Sequence, residues 1–399
     1  MTLNDFKSLQ NPIARYYKDF NVEGRILLTG HSHQAWPDVA RLGFDEYWKD
    51  ASTLVDDKWD IAFQKADMVR QGFSQIIGGD PNEFALASNT HDLLIKLLSA
   101  LDLKNRPKII TSDAEFHTVR RQLDSLYNAG QIELERVEAF PIDTLSERIA
   151  SAVDDKTSLV IVSKVFFNNS LILEEIDKIQ NACQHRGADL LVDAYHAVNV
   201  VPFSIEEEGL ESSFVLGGGY KYCQLGEGNC FMRIPPSTRL KPVLTGWYSE
   251  FMALACEKEA GQVVYGTDHW AFAGSTYDPV SHYRAAKVFD FFAEQKLTPD
   301  LLRQISQYQI GLLAAEFDKY DFDPLIIRRD KEIDISNTGG FLMLESEHNP
   351  EITSQLKEDN VIVDYRCNKL RLGPAPYLSP GQLTKAIEEL YQVCRGVSR

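Results

Sequence analysis

The chain has 399 residues, 44% of them hydrophobic and 25% charged, enough for one large domain with a smaller companion. A net charge of −17, from 41 Lys+Arg against 58 Asp+Glu, argues against nucleic acid or an anionic membrane as partner, because phosphate contacts need clustered cations. No run approaches the roughly 18 apolar residues of a membrane span. The opening MTLNDFKSLQNPIARYYKDF carries no apolar signal segment, and the six cysteines (183, 223, 230, 256, 367, 394) form no C-x-x-C pair. A soluble cytoplasmic protein in a reducing compartment, without structural zinc, is the expectation.

Along the chain, apolar runs of strand length alternate with amphipathic helical stretches. FALAS (84–88) precedes HDLLIKLLSAL (91–101), and KIITSD (108–113) precedes TVRRQLDSLYNAG (118–130). SLVIVSKVFF (158–167) precedes EEIDKIQNACQHRG (174–187), and DLLVDAYHAV (189–198) is followed by SSFVLGGG. Short, nearly continuous apolar strands between helices predict a parallel sheet covered on both faces, hence an α/β large domain. After Asp278-Pro279 the rhythm changes. Helices are predicted over 281–295, 300–320 and 379–395, with strands over 339–346 and 361–373, giving a smaller α+β domain.

The stretch VLGGGYKYCQLGEG (215–228) sets Lys221 among glycine and aromatic residues. It fails as a Walker phosphate loop, because Tyr222 stands where Ser or Thr is required. It fails as G-x-G-x-x-G, because no glycine lies three residues after Gly219. A solvated turn lysine and a covalent-chemistry lysine remain. Asp193, on an otherwise apolar run and 28 residues before Lys221, is costly to bury unless paired. It reads either as a cap or salt-bridge partner, or as the partner of a protonated ring nitrogen at the carboxyl edge of a sheet.

DAYHAVNVVP followed by GGGYKY resembles the cofactor core of pyridoxal-phosphate (PLP) enzymes of fold type I, aminotransferase class V, kynureninase-like branch. That resemblance implies an α/β three-layer, mostly parallel seven-stranded sheet, as in the aspartate-aminotransferase-like large domain, with a smaller α+β C-terminal domain. It divides the chain into an N-terminal segment (1–45) packing with the small domain, a PLP-binding large domain (46–280) and a small domain (281–399). Lys221 is implied as the Schiff-base lysine, and desolvation would make it a better nucleophile. Asp193 is implied at the pyridine nitrogen, His196 at the ring oxygen and Tyr220 at the phosphate. The glycines are read as letting backbone and cofactor approach closely.

Further segments follow in the family's order. LASNTHDLL carries Thr90 and His91 onto the phosphate cup, where a plain helix cap is the alternative. DAEFHTVRRQL carries Phe116 onto the cofactor ring, where a core phenylalanine is the alternative. In SKVFFNNS, Asn168 and Asn169 fall at the outer edge of the ring. GWYSEF places Trp247 near the site, and FAGSTYDP implies that Ser275 and Thr276 reach a partner's phosphate across a homodimer with a shared active site. VDYRCNKLRLGPAPY makes Arg371 the clamp for an amino acid's α-carboxylate, with Arg366 behind it. His31, His33 and Gln34 stand where the branch covers its substrate, in a sequence that departs from its pattern. Val119 and Thr276 replace the branch's Asp and Asn, which bears on kynurenine specificity rather than on the cofactor.

The implied function is a PLP-dependent enzyme acting on an α-amino acid, with kynureninase-like hydrolysis or lysis at Cβ as the first reading. A class V aminotransferase and a cysteine-desulfurase-like C–S lyase using Cys367 are alternatives. The loop around Cys367 is short for the last of these. A non-catalytic binding protein with the same fold, and a nucleotide-dependent α/β enzyme, are the readings from other classes. No metal site is expected.

Overall fold

The computed structural model describes residues 1–254 and 259–397; Cys256 lies outside the described residues. The chain opens with a short helix α1 (Leu3–Phe6) and a two-residue strand β1 (Ile26–Leu27), followed by helices α2 (Ala40–Leu54) and α3 (Lys58–Ile77). Then come β2 (Phe84–Ala87), α4 (Thr90–Ala100), β3 (Lys108–Ser112), α5 (His117–Asn128), β4 (Glu133–Val137) and α6 (Leu145–Ala152). The run continues through β5 (Thr157–Ser163), α7 (Ile176–Arg186), β6 (Asp189–Asp193), β7 (Phe214–Gly218) and β8 (Cys230–Arg233). Helices α8 (Val280–Gln295) and α9 (Pro299–Phe317) lead into β9 (Leu342–Glu345), α10 (Asn349–Glu358), β10 (Val361–Ile362), β11 (Asp364–Arg366), β12 (Lys369–Leu372) and α11 (Pro380–Gly396).

Strands β2 to β8 form one seven-stranded sheet in the order β2-β8-β7-β6-β5-β3-β4. Only β8 runs against its neighbours; the four pairs from β7 to β4 are parallel. The expected α/β, mostly parallel seven-stranded sheet is what the chain forms. Every residue of β5 is buried. Leu159 and Ile161 pack with α4 and α5, while Val160 and Val162 pack with α3, α6 and α7. Alternate side chains point to opposite faces, so a continuous apolar run is what a sheet covered on both sides requires. The edge strand β4, ELERV, is polar and largely exposed, which explains why its sequence carries no strand signal.

Helix ends follow local chemistry. Asn89 caps α4 by accepting from Asp92 N, Thr298 caps α9 ahead of Pro299, and Ser379 with Gln382 forms a capping box at α11. Strands β11, β12 and β9 make a separate antiparallel sheet beside α9 to α11. The N-terminal segment is tied to the C-terminal part. β1 pairs in parallel with β10, and Asn11 Nδ2 donates to the carbonyls of Pro376 and Leu378.

Candidate active site

The sheet order brings three chemical groups to one edge. Ser163 ends β5 and lies in register with Asp193 at the end of β6, which in turn aligns with Leu216 of β7. Lys221 follows β7 by three residues. All three line a cavity of about 270 Å³ at the carboxyl ends of the strands, where open parallel sheets hold their ligands.

Lys221 is buried, and its Nζ lies 2.7 Å from His196 Nε2. Burial, opposed by the nearby Asp193 carboxylate, brings its pKa from the ordinary lysine range down to about 7. Burial, with Lys221, His31 and Arg371 adding to it, holds His196 well below the usual imidazole value. His196 is therefore neutral and Lys221 is close to its titration point at neutral pH. Nζ also sits 4.7 Å from the Tyr195 ring centroid, 5.6 Å from Tyr220 and 5.4 Å from Phe116. Asp193 Oδ1 accepts from the Tyr195 amide, and burial raises the Asp193 pKa.

The glycines before Lys221 have a packing reason within the chain itself. A Cβ on Gly218 would collide with the Tyr195 ring, one on Gly217 with Phe231, and one on Gly219 with Leu225. They make room for the protein's own side chains, and Tyr195 is thereby seated beside Lys221. None of the three has a positive φ.

The other expected site residues divide. Thr90 lines the cavity with Ser88 and Asn89 at the N-terminus of α4, and Phe116 and Tyr220 form further walls. Thr90 is a cavity residue while Asn89 is the cap, so the two readings of that loop fall on neighbouring residues. His91 is exposed and faces a separate depression with His117 and Arg121. Ser275 and Thr276 line a second cavity of about 620 Å³, which shares Ser88, Glu227 and Gly228 with the first. Trp247 is 45% exposed and lies outside both cavities, packed on Tyr248. Asn169 accepts from Leu171 N within its own loop.

His33 stacks on Tyr220 at 5.1 Å, and buried Gln34 donates back to Gly30 O. His31 is buried, with Nε2 2.7 Å from Asp364 Oδ1. Burial lowers its pKa to about 4 against the pull of Asp364. Arg371 is 3% exposed and donates to Asp364 through Nε and Nη2, and to Phe167 O through Nη1. Burial would raise the Asp364 pKa, but the bonds from His31 and Arg371 outweigh it and hold the carboxyl well below its usual range. Arg366 is half-exposed, 3.8 Å from the same carboxylate. Cys367, at φ +50° in the two-residue turn between β11 and β12, is exposed.

Three groups escaped the sequence reading. Glu115 is buried, accepts from Ser112 Oγ at 2.6 Å and from Ser163 Oγ at 2.5 Å, and stands beside Asp193. Burial lifts its pKa to about 7 against those hydrogen bonds. Tyr195 and Asp364 are the others. Tyr195 lies inside the quoted DAYHAV, and Asp364 sits opposite Arg371 in a hairpin whose turn the residues Cys367-Asn368 mark. Among the described residues no group of three or more His, Cys, Asp or Glu could hold a metal ion, and no helix is long and apolar enough to cross a membrane.

No known protein-family profile matches the chain. It is 22% identical to an uncharacterized aminotransferase of Bacillus subtilis, over 92% of this chain and 94% of that one. It is 24% identical to a kynureninase of Geobacillus thermodenitrificans, over 83% of this chain and 78% of that one. A solved mutant of the cystine C–S lyase C-DES, with glycine covalently linked to its PLP cofactor, superposes with a TM-score of 0.80 at 14% identity, over 95% and 99% of the two chains. Over most of its length the chain is similar to an aminotransferase and to kynureninases, and its fold is that of PLP-dependent enzymes of fold type I. The structural likeness speaks to the fold, while the residues around Lys221 speak to the chemistry.

Proposed function

We propose that this chain is a PLP-dependent enzyme acting on an α-amino acid through Lys221, with kynureninase-like cleavage at Cβ as its reaction. The observation that carries this reading is the buried Lys221 amine, 2.7 Å from neutral His196 and sharing one cavity with the Asp193 carboxylate. The donor set suits PLP. There is an amine for its aldehyde, a carboxylate for its ring nitrogen, an aromatic wall in Phe116, and the amide end of α4 for its phosphate. PLP, when bound, supplies a conjugated ring that takes up the electron pair left by a broken bond at Cα.

The chain's residues do the rest. Lys221 is the attachment point and afterwards accepts the substrate's α-proton at Nζ, its pKa near the operating pH suiting that role. Asp193 would hold a proton on the ring nitrogen of a bound PLP. His196 keeps Nζ oriented, and Tyr220, Ser88 and Thr90, which line the same cavity, would hold the phosphate of a bound PLP. Arg371 and His31, gathered around Asp364 behind the Phe167 wall of the cavity, are the groups we propose for the substrate carboxylate, with Arg366 and Trp247 further out.

We further propose the division into residues 1–45, 46–280 and 281–399, and a cytoplasmic homodimer. The loop carrying Val243, Leu244 and Trp247 exposes 77%, 57% and 45% of these apolar side chains. Gly246 in that loop packs on Gly274, next to Ser275 and Thr276, so a second copy covering the loop would reach the cavity edge. Transamination is the second reading, favoured by the aminotransferase match over 92% of the chain. A desulfurase reading finds less support, because Cys367 is confined to a two-residue turn. A panel of L-amino acids, assayed with and without a keto-acid acceptor, tests the assignment. Cβ hydrolysis predicts acceptor-independent release of alanine, and acceptor-dependent turnover alone would replace it with transamination.

A further inference from the structure

The fork of Arg371 is already filled. Asp364 and Arg371 are direct cross-strand partners in the β11–β12 hairpin. Nε to Oδ1 is 2.9 Å and Nη2 to Oδ2 is 2.6 Å, the paired geometry by which a guanidinium grips a carboxylate. The remaining nitrogen, Nη1, donates at 2.7 Å to the carbonyl of Phe167, a wall residue of the Lys221 cavity. Arg371 thus stands directly behind that wall, with its carboxylate-binding face turned to another residue of the same chain.

A buried guanidinium needs an anion beside it in every state of the protein. Its side chain is 3% exposed, whereas that of Asp364 is 19% exposed, so Asp364 is the partner with room to move. Asp364 also has a second holder, because His31 Nε2 is 2.7 Å from Oδ1. Gly373 leaves the space that imidazole occupies, since a Cβ there would collide with His31 Nδ1.

We propose that Asp364 is a specificity-determining residue that occupies the carboxylate fork of Arg371, so that a substrate carboxylate enters only by exchange and His31 retains the displaced Asp364. This rests on the reading of Lys221 as an amino-acid site. Exchanging one carboxylate for another leaves Arg371 neutralised throughout. An amine without a carboxylate enters with the Asp364–Arg371 pair intact. Asp364 therefore sets the preference between an amino acid and its decarboxylated amine.

The test compares wild type with Asp364→Asn. Cofactor-loaded protein is titrated with L-alanine and with ethylamine, and binding is followed by the visible absorption band. Asp364→Asn should tighten L-alanine binding about tenfold or more and leave ethylamine unchanged. In a second arm, cofactor-free protein is titrated with acetate, and Asp364→Asn should gain thermal stabilisation that wild type lacks. A protein without a visible band would defeat the Lys221 reading, while the acetate arm would still report on Asp364. Should Asp364→Asn not fold, His31→Asn replaces it and should weaken L-alanine binding severalfold, since displaced Asp364 then has no holder. Weaker L-alanine binding in Asp364→Asn, equal shifts for both probes, no acetate difference, or unchanged L-alanine binding in His31→Asn would each reduce Asp364 to a structural partner.

Discussion

Lys221 Nζ is 2.7 Å from His196 Nε2, and both groups are buried at the carboxyl edge of the central sheet. Two cations cannot share that space without water. The contact is an ammonium donating to a neutral imidazole, or a neutral amine paired with an N–H tautomer. Either way, the lysine gives up its proton near neutral pH.

One prediction follows for cofactor capture. The neutral amine is the nucleophile, so the rate at which cofactor-free protein takes up PLP should rise with pH and level off above about 7. A profile that climbs without inflection toward the ordinary lysine range would show that burial does not set the reactivity. Stopped-flow absorbance at fixed PLP across a pH series reads this directly.

Glu115 makes a stability prediction with a definite sign. Its folded pKa is raised from 4.5 to about 7, so its protonated form stabilises the fold fully below 4.5, and that contribution is lost as pH rises through about 7. Glu115→Gln keeps both serine contacts without the titration. Relative to wild type, it should gain on the order of 2–3 kcal/mol between pH 4.5 and 8, read by urea unfolding at several pH values. Parallel stability curves for the two proteins would remove Glu115 as the titrating group.

Gly218 makes a packing prediction. Gly218→Ala places a methyl group against the Tyr195 ring, and overpacking of this kind costs about 1–3 kcal/mol. The melting temperature should fall, and PLP should bind more weakly because Tyr195 is pushed toward Lys221. Gly381→Ala, where a Cβ meets nothing within 4 Å, serves as the control.

The parts of this protein that were legible from sequence are those whose physics is local. The apolar runs of β5 and β6 announce a sheet buried on both faces, and Asp193 at the end of one of them stands out because a bare carboxylate there needs a partner. The edge strand β4 was not legible, because it is half solvated and polar. Strand β8, CFMR, is only four residues and sits among turns. Lys221 was visible through its glycine collar, yet the collar's purpose was not, since no spacing tells that Gly218 faces Tyr195 across 23 residues. Arg371 was visible as an arginine in an apolar strand. Its occupancy by Asp364 depends on hairpin register, which brings positions seven apart face to face.

The apolar loop predicts association. Sedimentation velocity at micromolar concentration should give a dimer, and Leu244→Asp, at a side chain 57% exposed, should shift it toward monomer without lowering the melting temperature of the monomer core. A wild-type monomer at these concentrations would leave Ser275 and Thr276 serving their own chain's cavity alone.

The central claim is that Lys221 carries the cofactor. Protein incubated with PLP and reduced with borohydride should, after proteolysis and mass spectrometry, show a pyridoxyl group on the peptide containing GGGYKY, at Lys221, and Lys221→Ala should show none. A colourless protein with no modified lysine, or a pyridoxyl group on a surface lysine with Lys221 untouched, would contradict it.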